Sequence, residues 1–415
     1  MAILNPVAAL IVSFSFLGIL LYKRVNLGIT LNAAALLLAL LALDLQTIPE
    51  VIYRTTVEPL TIAVVLATFG IMLLSQLYKL TGVIDSLSDS VDKIINNPKI
   101  VSSVLPAIIG FLPVAGGALM SAPLVDSQTE KLGLKPEKKA YVNVWFRHTI
   151  FPVYPLSQVL VIAAALTGVA LPLLLVRQVP VVVVMIAVGY VISFWKTSAP
   201  NKEEDLTRKH GRSLSDVWRF FVAFSPILAT IIAVIVLDVA GLGLANVGFD
   251  VFFATIIGII VLLLLSKPSW RVVAAPLKGW QIYGITFAAY GAFLLRNVAV
   301  ATGMSEILKA FVANGSVDIV VLLTVVPAVL GFVTGSPSGG VALSVSILAG
   351  LLVFSPGTAA LLFMSAYLGY VIVPSHLCLA FTVDYFKCSL KKVYKYVIPS
   401  FLISFAAALL VYVLI

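Results

Sequence analysis

The chain has 415 residues, of which 61% are hydrophobic and only 11% are charged, and its mean hydropathy is +1.12. Soluble globular domains carry about 25% charged residues, so this composition excludes that class and predicts a polytopic membrane protein. The net charge of +9 does not indicate a nucleic-acid partner, because the basic residues lie in short loops between apolar runs, as membrane topology predicts.

The first apolar run, Leu4 to Tyr22, has no basic residue before it and Lys23-Arg24 directly after it. A cleavable signal peptide has the opposite order, so we expect a retained helix with its N-terminus outside. Late in the chain lie the two cysteines, Cys378 and Cys388, both on the side that we assign to the cytoplasm. We therefore expect no disulfide, and the cysteine spacing predicts no zinc site.

Apolar runs of about 17 to 25 residues predict membrane segments in two groups of six. The first group comprises 4–22, 27–45, 58–78, a broken segment 99–124, 141–167 with breaks at Pro152 and Pro155, and 171–195. The second group comprises 219–240, 249–266, 280–300, a broken segment 318–350, 357–390 with a break at Pro374, and 393–415. A charged stretch, 196–218, separates the groups and is predicted to be a solvated cytoplasmic linker.

The two groups match in sequence when the first is shifted by 221 residues. Thr81-Gly82 then falls on Thr302-Gly303, Pro106-Ala107 on Pro327-Ala328, and Gly110-Phe111 on Gly331-Phe332. One further residue of shift places Pro152 on Pro374. Apolar identities arise by chance in such a chain, but matched glycine and proline positions at one offset indicate an internal repeat.

The topology follows if each broken segment is a re-entrant hairpin that returns to its own side. Each half then has five full spans, and the second half is inverted relative to the first. With the N-terminus outside, 22 of the 27 Lys and Arg residues lie in cytoplasmic loops, in agreement with the positive-inside rule. We therefore predict an all-α polytopic membrane protein. Its predicted units are a first inverted repeat at 1–195, a second at 219–415, and hairpins at 99–124 and 318–350.

The hairpin tips contain small residues where a membrane helix is expected to have Leu and Val, at Gly110–Gly117 and Gly331–Gly340. Irregular backbone at membrane depth is tolerated only where protein buries it or where it lines a cavity. Helix N-termini at such breaks suit an anion, and freed carbonyl groups suit Na⁺. An alternative is that these glycines only permit close helix packing. Hydroxyl ligands are offered by Thr334, Ser336, Ser338 and Ser121.

Ionisable residues inside membrane segments are rare and are candidates for function. Arg147 and His148 precede the break at Pro152, and His376 lies in the break at Pro374. Arg147 suits a carboxylate partner, although it could instead extend toward the interface, as could Arg296 in the eighth span. His376 suits either a proton carrier or a neutral hydrogen-bonding partner of the broken backbone.

An enzyme is the alternative from another class, because Ser338 and His376 suggest a serine–histidine pair. An intramembrane serine protease has glycine two residues before its serine, and Ser336 occupies that position. The sequence also lacks the H-E-x-x-H motif of zinc proteases and the P-loop of ATP-driven pumps. We therefore predict that the chain is not an enzyme.

Two inverted five-span repeats, each with a hairpin and a proline-broken helix, resemble the ion transporter superfamily. A ten-span family of that group, called domain of unknown function 401, is most similar to the residues Phe111-Leu112-Pro113-Val114-Ala115-Gly116-Gly117-Ala118, Ser121-Ala122-Pro123 and Trp145-Phe146-Arg147-His148. This resemblance implies a transport domain from 99–195 and 318–415, which moves as an elevator against a scaffold from 1–80 and 219–300 that forms a homodimer. Sodium/dicarboxylate symporters carry Ser-Asn-Thr at both tips, whereas Ala115-Gly116-Gly117 and Ser336-Pro337-Ser338 lack the asparagine and the threonine. Carboxylate specificity and Na⁺ coupling are therefore left open, and His148 or His376 could carry protons instead.

The predicted function is secondary active transport of a small organic anion across the cell membrane, coupled to Na⁺ or H⁺, with both termini outside. A cation/proton antiporter is the first alternative, and a membrane-embedded enzyme or lipid-handling protein is the second. No cofactor is expected except Na⁺ as a coupling ion, and the expected partners are the anion, the bilayer and a second copy of the chain. The predicted substrate-binding residues are Thr334, Ser336, Ser338, Ser375, His376, Arg147 and Ser121; the predicted ion-binding residues are Val114, Ala115, Gly116, Gly117, Pro152, Gly335 and Pro374.

Overall fold

The computed structural model describes residues 3–95, 97–111, 117–197, 214–240, 249–314, 318–374 and 376–415. All regular secondary structure in these residues is helical, as the composition predicts. The α-helices are α1 (Pro6–Tyr22), α2 (Leu27–Ala42), α3 (Thr47–Val57), α4 (Pro59–Leu80), α5 (Val83–Ile94), α6 (Pro98–Gly110), α7 (Ala118–Glu130), α8 (Pro136–Thr149), α9 (Gln158–Thr167), α10 (Leu171–Phe194), α11 (Leu214–Val239), α12 (Phe249–Ser266), α13 (Trp270–Ala274), α14 (Trp280–Ala301), α15 (Met304–Ala313), α16 (Ile319–Thr334), α17 (Pro337–Leu348), α18 (Pro356–Val371), α19 (Leu377–Tyr385) and α20 (Leu390–Leu414).

Within the described residues, seven helical segments are long and apolar enough to cross a membrane. They are Pro59–Leu80, Pro136–Thr167, Leu171–Phe194, Leu214–Leu237, Phe249–Ser266, Trp280–Ala301 and Leu390–Leu414. The prediction of ten full spans also counted α1 and α2, which have 17 and 16 residues, and the segment broken after α18. The four short helices α3, α5, α13 and α15 were not predicted.

Two helix pairs lie where the hairpins are predicted, at 99–124 and 318–350, although α7 continues to Glu130. Helices α6 and α7 have 13 residues each, while α16 and α17 have 16 and 12. At 1.5 Å per residue these lengths are about 18 to 24 Å, which is shorter than the ~30 Å hydrocarbon core. Each of these four helices is therefore too short to cross the membrane alone.

Glycines allow each hairpin to pack closely on the broken helix that follows it. A Cβ atom on Gly110 would lie 2.7 Å from the carbonyl oxygen of Arg147, so α6 approaches the backbone of α8 directly. In the second half, a Cβ atom on Gly331 would overlap the carbonyl oxygen of Ala366, and one on Gly369 would overlap that of Ala328. Backbone contact of this kind holds each hairpin against the broken helix that follows it.

The ends of the broken helices are held by polar contacts between distant parts of the chain. The side-chain amide of Asn143 on α8 donates to Ala118 O at 2.8 Å and to Thr382 Oγ1 at 3.1 Å. It thereby connects α7, α8 and α19. The Tyr367 hydroxyl on α18 donates to His148 O at 2.6 Å, which ties the two broken helices together near the point where α8 ends.

Helices α2 and α14 form a pair that lies beside the second hairpin. Helix α14 packs against α2, and the Asn32 amide on α2 donates to Phe287 O at 3.0 Å. Gly28 and Gly284 let the two helices approach closely, since a Cβ atom on Gly28 would overlap the carbonyl oxygen of Gly284. Helix α14 also packs against α17, so the second hairpin lies beside the α2–α14 pair.

Candidate functional site

A cavity of about 230 Å³ lies where the second hairpin and both broken helices meet α2 and α14. Gly335, Ser336 and Ser338 line it from the hairpin break, and Leu27, Ile285 and Ala288 line it from α2 and α14. The ends of the two broken helices supply Arg147, His148, His376 and Cys378. The cavity therefore brings together four predicted substrate-binding residues, Ser336, Ser338, His376 and Arg147, with one predicted ion-binding residue, Gly335.

The break in the second hairpin is built by three consecutive residues. Gly335 ends α16 in the left-handed conformation, at φ 58°, which glycine adopts without the steric cost of a Cβ atom. Ser336 caps α17, because its side-chain oxygen accepts from the Gly339 N–H at 3.2 Å. The Thr334 hydroxyl lies 2.7 Å from Leu330 O and 2.9 Å from Ser336 O. Thr334 therefore stabilises the break and does not line the cavity.

Three helix N-termini converge on the cavity. Ser157 and Gln158 line it where α9 begins, Ser336 and Ser338 where α17 begins, and Cys378 where α19 begins. The first N–H groups of a helix have no intrahelical acceptor, and the helix dipole places partial positive charge there. These three helix starts therefore place backbone donors, which favour negative charge, at the cavity.

Arg147 supplies a full positive charge in the last turn of α8. It is 1% exposed and lines the cavity. Among the described residues that line the cavity, none is Asp or Glu. The charge of the cavity wall therefore favours an anion.

His148, His376 and Cys378 form a buried cluster in the cavity wall. The imidazole rings meet edge to face with centroids 4.6 Å apart, and the Cys378 thiol lies beside them. His148 Nδ1 lies 2.6 Å from Val144 O, and His376 Nε2 lies 2.7 Å from the Tyr370 hydroxyl. One ligand atom from each of the three residues lies within 4.8 Å of the others, so the cluster could hold a metal ion.

Several predicted residues do not line the cavity. Ser121 is buried and donates to Ala118 O at 3.2 Å, while Pro152 is buried in the turn Phe151–Val153 that follows α8. Pro374 lies in an exposed turn, and Gly117 caps α7. Arg296 is half-buried on α14, outside the cavity lining. Val114, Ala115, Gly116 and Ser375 lie outside the described residues.

Ser157, Gln158 and Cys378 were not predicted as site residues. The side-chain oxygens of Ser157 and Gln158 are buried and have no hydrogen-bond partner in the part of the chain that the structure describes. The predicted break at Pro155 does indicate a new helix start, and serine is a preferred residue at such a position. Cys378 likewise lies at the start of a helix that follows a predicted break, here the one at Pro374.

Comparisons with known proteins place these features in context. A family model described as "Protein of unknown function (DUF401)" matches residues 6–415. Among solved structures, the chain is similar to the YdaH transporter of Alcanivorax borkumensis, whose crystal structure is described as revealing an unusual topology. The TM-score is 0.55 at 14% sequence identity, over 90% of this chain and 89% of that one, so the likeness shows a shared fold. A search of curated proteins gave no match.

Proposed function

The chain belongs to DUF401, a family of proteins of unknown function, and on this premise we propose that it is a secondary transporter of a small organic anion. The observation that carries the proposal is the meeting of three helix N-termini with Arg147 around one cavity. Half-helix N-termini directed at an anionic group, between discontinuous membrane helices, are a recurrent arrangement in secondary transporters. The fold shared with the YdaH transporter is consistent with this class.

The size and lining of the cavity favour a small, partly apolar anion. A volume of about 230 Å³ lies below the ~300–1,000 Å³ typical of pockets for drug-sized ligands. Leu27, Ile162 and Ile285 offer apolar contacts, whereas Ser157 and Ser338 offer hydroxyl groups. Arg147 can bind a carboxylate through two parallel hydrogen bonds, which lysine cannot do. A small carboxylate combines these requirements.

We propose that transport is an elevator movement of the hairpins and broken helices past the α2–α14 pair. The order of helices supports two repeats: three helices, a hairpin, a broken helix and a final long helix occur in each half, interspersed with short helices. The cavity lies between the proposed moving and fixed parts, as such a movement requires. Assignment of the second repeat as inverted, and of the scaffold as a dimer interface, rests on the distribution of basic residues and on the family resemblance.

The coupling ion is proposed to be Na⁺ or H⁺, and binding thermodynamics can distinguish them. A ligand that binds only the folded state stabilises it by RT ln(1 + [L]/Kd), which is about 2.7 kcal/mol at 100 times Kd. Na⁺ coupling predicts a higher Tm in NaCl than in choline chloride at the same ionic strength. H⁺ coupling predicts no such difference, and uptake that follows an imposed pH gradient without Na⁺.

The experiment that tests the proposal is uptake by proteoliposomes over a panel of small carboxylates. Gradient-driven uptake of at least one of them, competed by its analogues, is the expected result. Protein-free vesicles control for leakage. If Na⁺ or K⁺ exchanges for protons while no carboxylate accumulates, the chain is instead a cation/proton antiporter. The absence of acidic residues from the described cavity lining argues against that alternative.

A further inference from the structure

Two of the three histidines of the chain and one of its two cysteines meet at one point of the cavity wall. His148 closes α8, whereas His376 and Cys378 begin α19, so the fold brings together residues from distant parts of the sequence. All three side chains are buried, at 1% to 6% exposure. The hairpin and anion-binding features described above do not explain why imidazole and thiol groups are concentrated here.

Hydrogen bonds hold both rings in orientations that suit metal coordination. Because Val144 O can only accept, His148 Nδ1 carries the proton and Nε2 keeps a free lone pair. His376 Nε2 lies 2.7 Å from the Tyr370 hydroxyl, and Nδ1 lies 3.4 Å from Val371 O. His376 Nδ1 offers a lone pair in the tautomer in which Nε2–H donates to the Tyr370 oxygen. Metal-binding histidines characteristically bond their second ring nitrogen to a backbone carbonyl or a polar side chain in this way.

We propose that His148 Nε2, His376 Nδ1 and Cys378 Sγ bind a transition-metal ion of borderline hardness, such as Zn²⁺. Imidazole nitrogen and thiolate sulfur are the ligands that this class of ion prefers over hard ions such as Mg²⁺ and Ca²⁺. In a tetrahedral Zn²⁺ site two nitrogens and one sulfur lie about 3.3 to 3.6 Å apart. In this structure one ligand atom of each residue lies within 4.8 Å of the others, so coordination needs a closure of about 1 Å.

Three protein ligands leave the fourth coordination position open to the cavity. Binding replaces the Cys378 S–H bond with a metal–sulfur bond, and the released proton passes to water. The thiolate offsets one charge of the metal, and the α19 N-terminus favours negative charge at Cys378. The remaining positive charge, together with Arg147, suits a water-derived or carboxylate oxygen as the fourth ligand. The metal site does not depend on the transport proposal.

The test uses Co²⁺ as an optical probe in the purified full-length chain carrying Cys388→Ser. Cys378 is then the only thiol, so a thiolate-to-Co²⁺ charge-transfer band identifies it as a ligand without altering the cluster. We expect this band at one Co²⁺ per chain, with visible bands of tetrahedral intensity that disappear when Zn²⁺ is added. Absence of the charge-transfer band in well-folded protein would overturn the proposal.

Variants of the cluster provide the second measurement. Loss of a residue that hydrogen-bonds a metal ligand typically weakens metal binding 10- to 100-fold. Loss of a ligand itself should weaken Co²⁺ binding more than this in each of the variants His148→Gln, His376→Gln and Cys378→Ser. Tyr370→Phe should fall within that range, because it removes only the contact that orients His376. Size-exclusion elution and Tm are measured for each variant to verify folding. Equal Co²⁺ affinity for all four variants and the unmodified chain would contradict the assigned ligands.

Discussion

The imidazole rings of His148 and His376 lie edge to face with centroids 4.6 Å apart, although they belong to opposite halves of the chain. Each ring marks the break of a helix that follows a hairpin. The contact therefore joins the two breaks into one site, next to the cavity that Arg147, Ser157 and Ser338 line. Residues of both halves line this cavity, so we expect binding there to depend on their relative position.

Replacing Arg147 by glutamine is expected to weaken substrate binding about 10- to 100-fold. A hydrogen bond to a charged group contributes about 1.5–3 kcal/mol, and 1.4 kcal/mol corresponds to a factor of ten in Kd. The substrate affinity of Arg147→Lys should lie between those of the unmodified chain and Arg147→Gln, since lysine keeps the charge but loses the paired hydrogen bonds. The measurement is the concentration dependence of uptake or direct substrate titration.

Arg296→Gln is the matched control, because Arg296 is half-buried on α14 and outside the cavity lining. It should leave the substrate affinity within about twofold of the unmodified chain, as expected of a site without substrate contact. Unchanged affinity in Arg147→Gln would remove Arg147 from the site.

Ser157→Ala is expected to lower substrate affinity without destabilising the protein. The Ser157 hydroxyl is buried, and its oxygen has no hydrogen-bond partner in the described part of the chain. Loss of a neutral hydrogen bond to the substrate costs about 0.5–1.5 kcal/mol, or about 2- to 13-fold in Kd. Ser193→Ala on α10 removes a similarly buried hydroxyl away from the cavity and should not alter Kd. Equal affinities for both variants would show that Ser157 does not contact substrate.

The sequence predicts the breaks of this structure well because few physical situations place glycine and proline at membrane depth. The hairpin predicted at 318–350 corresponds to α16 and α17, and the break predicted at Pro374 precedes α19. The resemblance predicted from residues 111–123 and 145–148 is confirmed by the family match over 6–415. Ser336, Ser338, His376 and Arg147 line the cavity because each lies at a predicted break or within about one helical turn of it.

The remainder depends on contacts between segments far apart in the chain. Nothing in the local sequence shows that α9, α17 and α19 direct their N-termini at one point, so Ser157 and Gln158 were missed. The metal-binding cluster was missed for the same reason. His148 lies on a different helix from His376 and Cys378, so no short sequence spacing indicates that the three residues meet. Thr334 was predicted to bind substrate by residue type, whereas its hydroxyl is used within the backbone of the break.

Gly331→Ala is expected to destabilise the protein, whereas Gly18→Ala should stabilise it slightly. A Cβ atom at position 331 would overlap the carbonyl oxygen of Ala366, and forcing a methyl group into a packed interface typically costs about 1–3 kcal/mol. A Cβ atom at position 18 in α1 meets no atom within 4 Å, so the gain in helix propensity, about 0.8–1 kcal/mol, remains. Thermal unfolding of both variants in the same detergent measures the two effects. A Tm for Gly331→Ala equal to that of the unmodified chain would contradict the close packing of α16 on α18.

A cross-link between α2 and α17 is expected to stop transport, because the elevator proposal requires the second hairpin to move past α2. A Cβ atom on Gly339 would lie 3.3 Å from Leu27 Cδ1, so the pair Leu27→Cys and Gly339→Cys is close enough for oxidation or a short bifunctional reagent. In a Cys388→Ser background, uptake by proteoliposomes should fall to background on cross-linking and return on reduction. The pair Gly357→Cys and Tyr412→Cys is the control, since both positions belong to the proposed moving part and a Cβ atom on Gly357 would lie 3.7 Å from Tyr412 Cδ2. Its cross-link should leave uptake unchanged. If the linked Leu27–Gly339 pair transports at the rate of its reduced form, α2 and the second hairpin keep a fixed relation, and the elevator proposal is wrong.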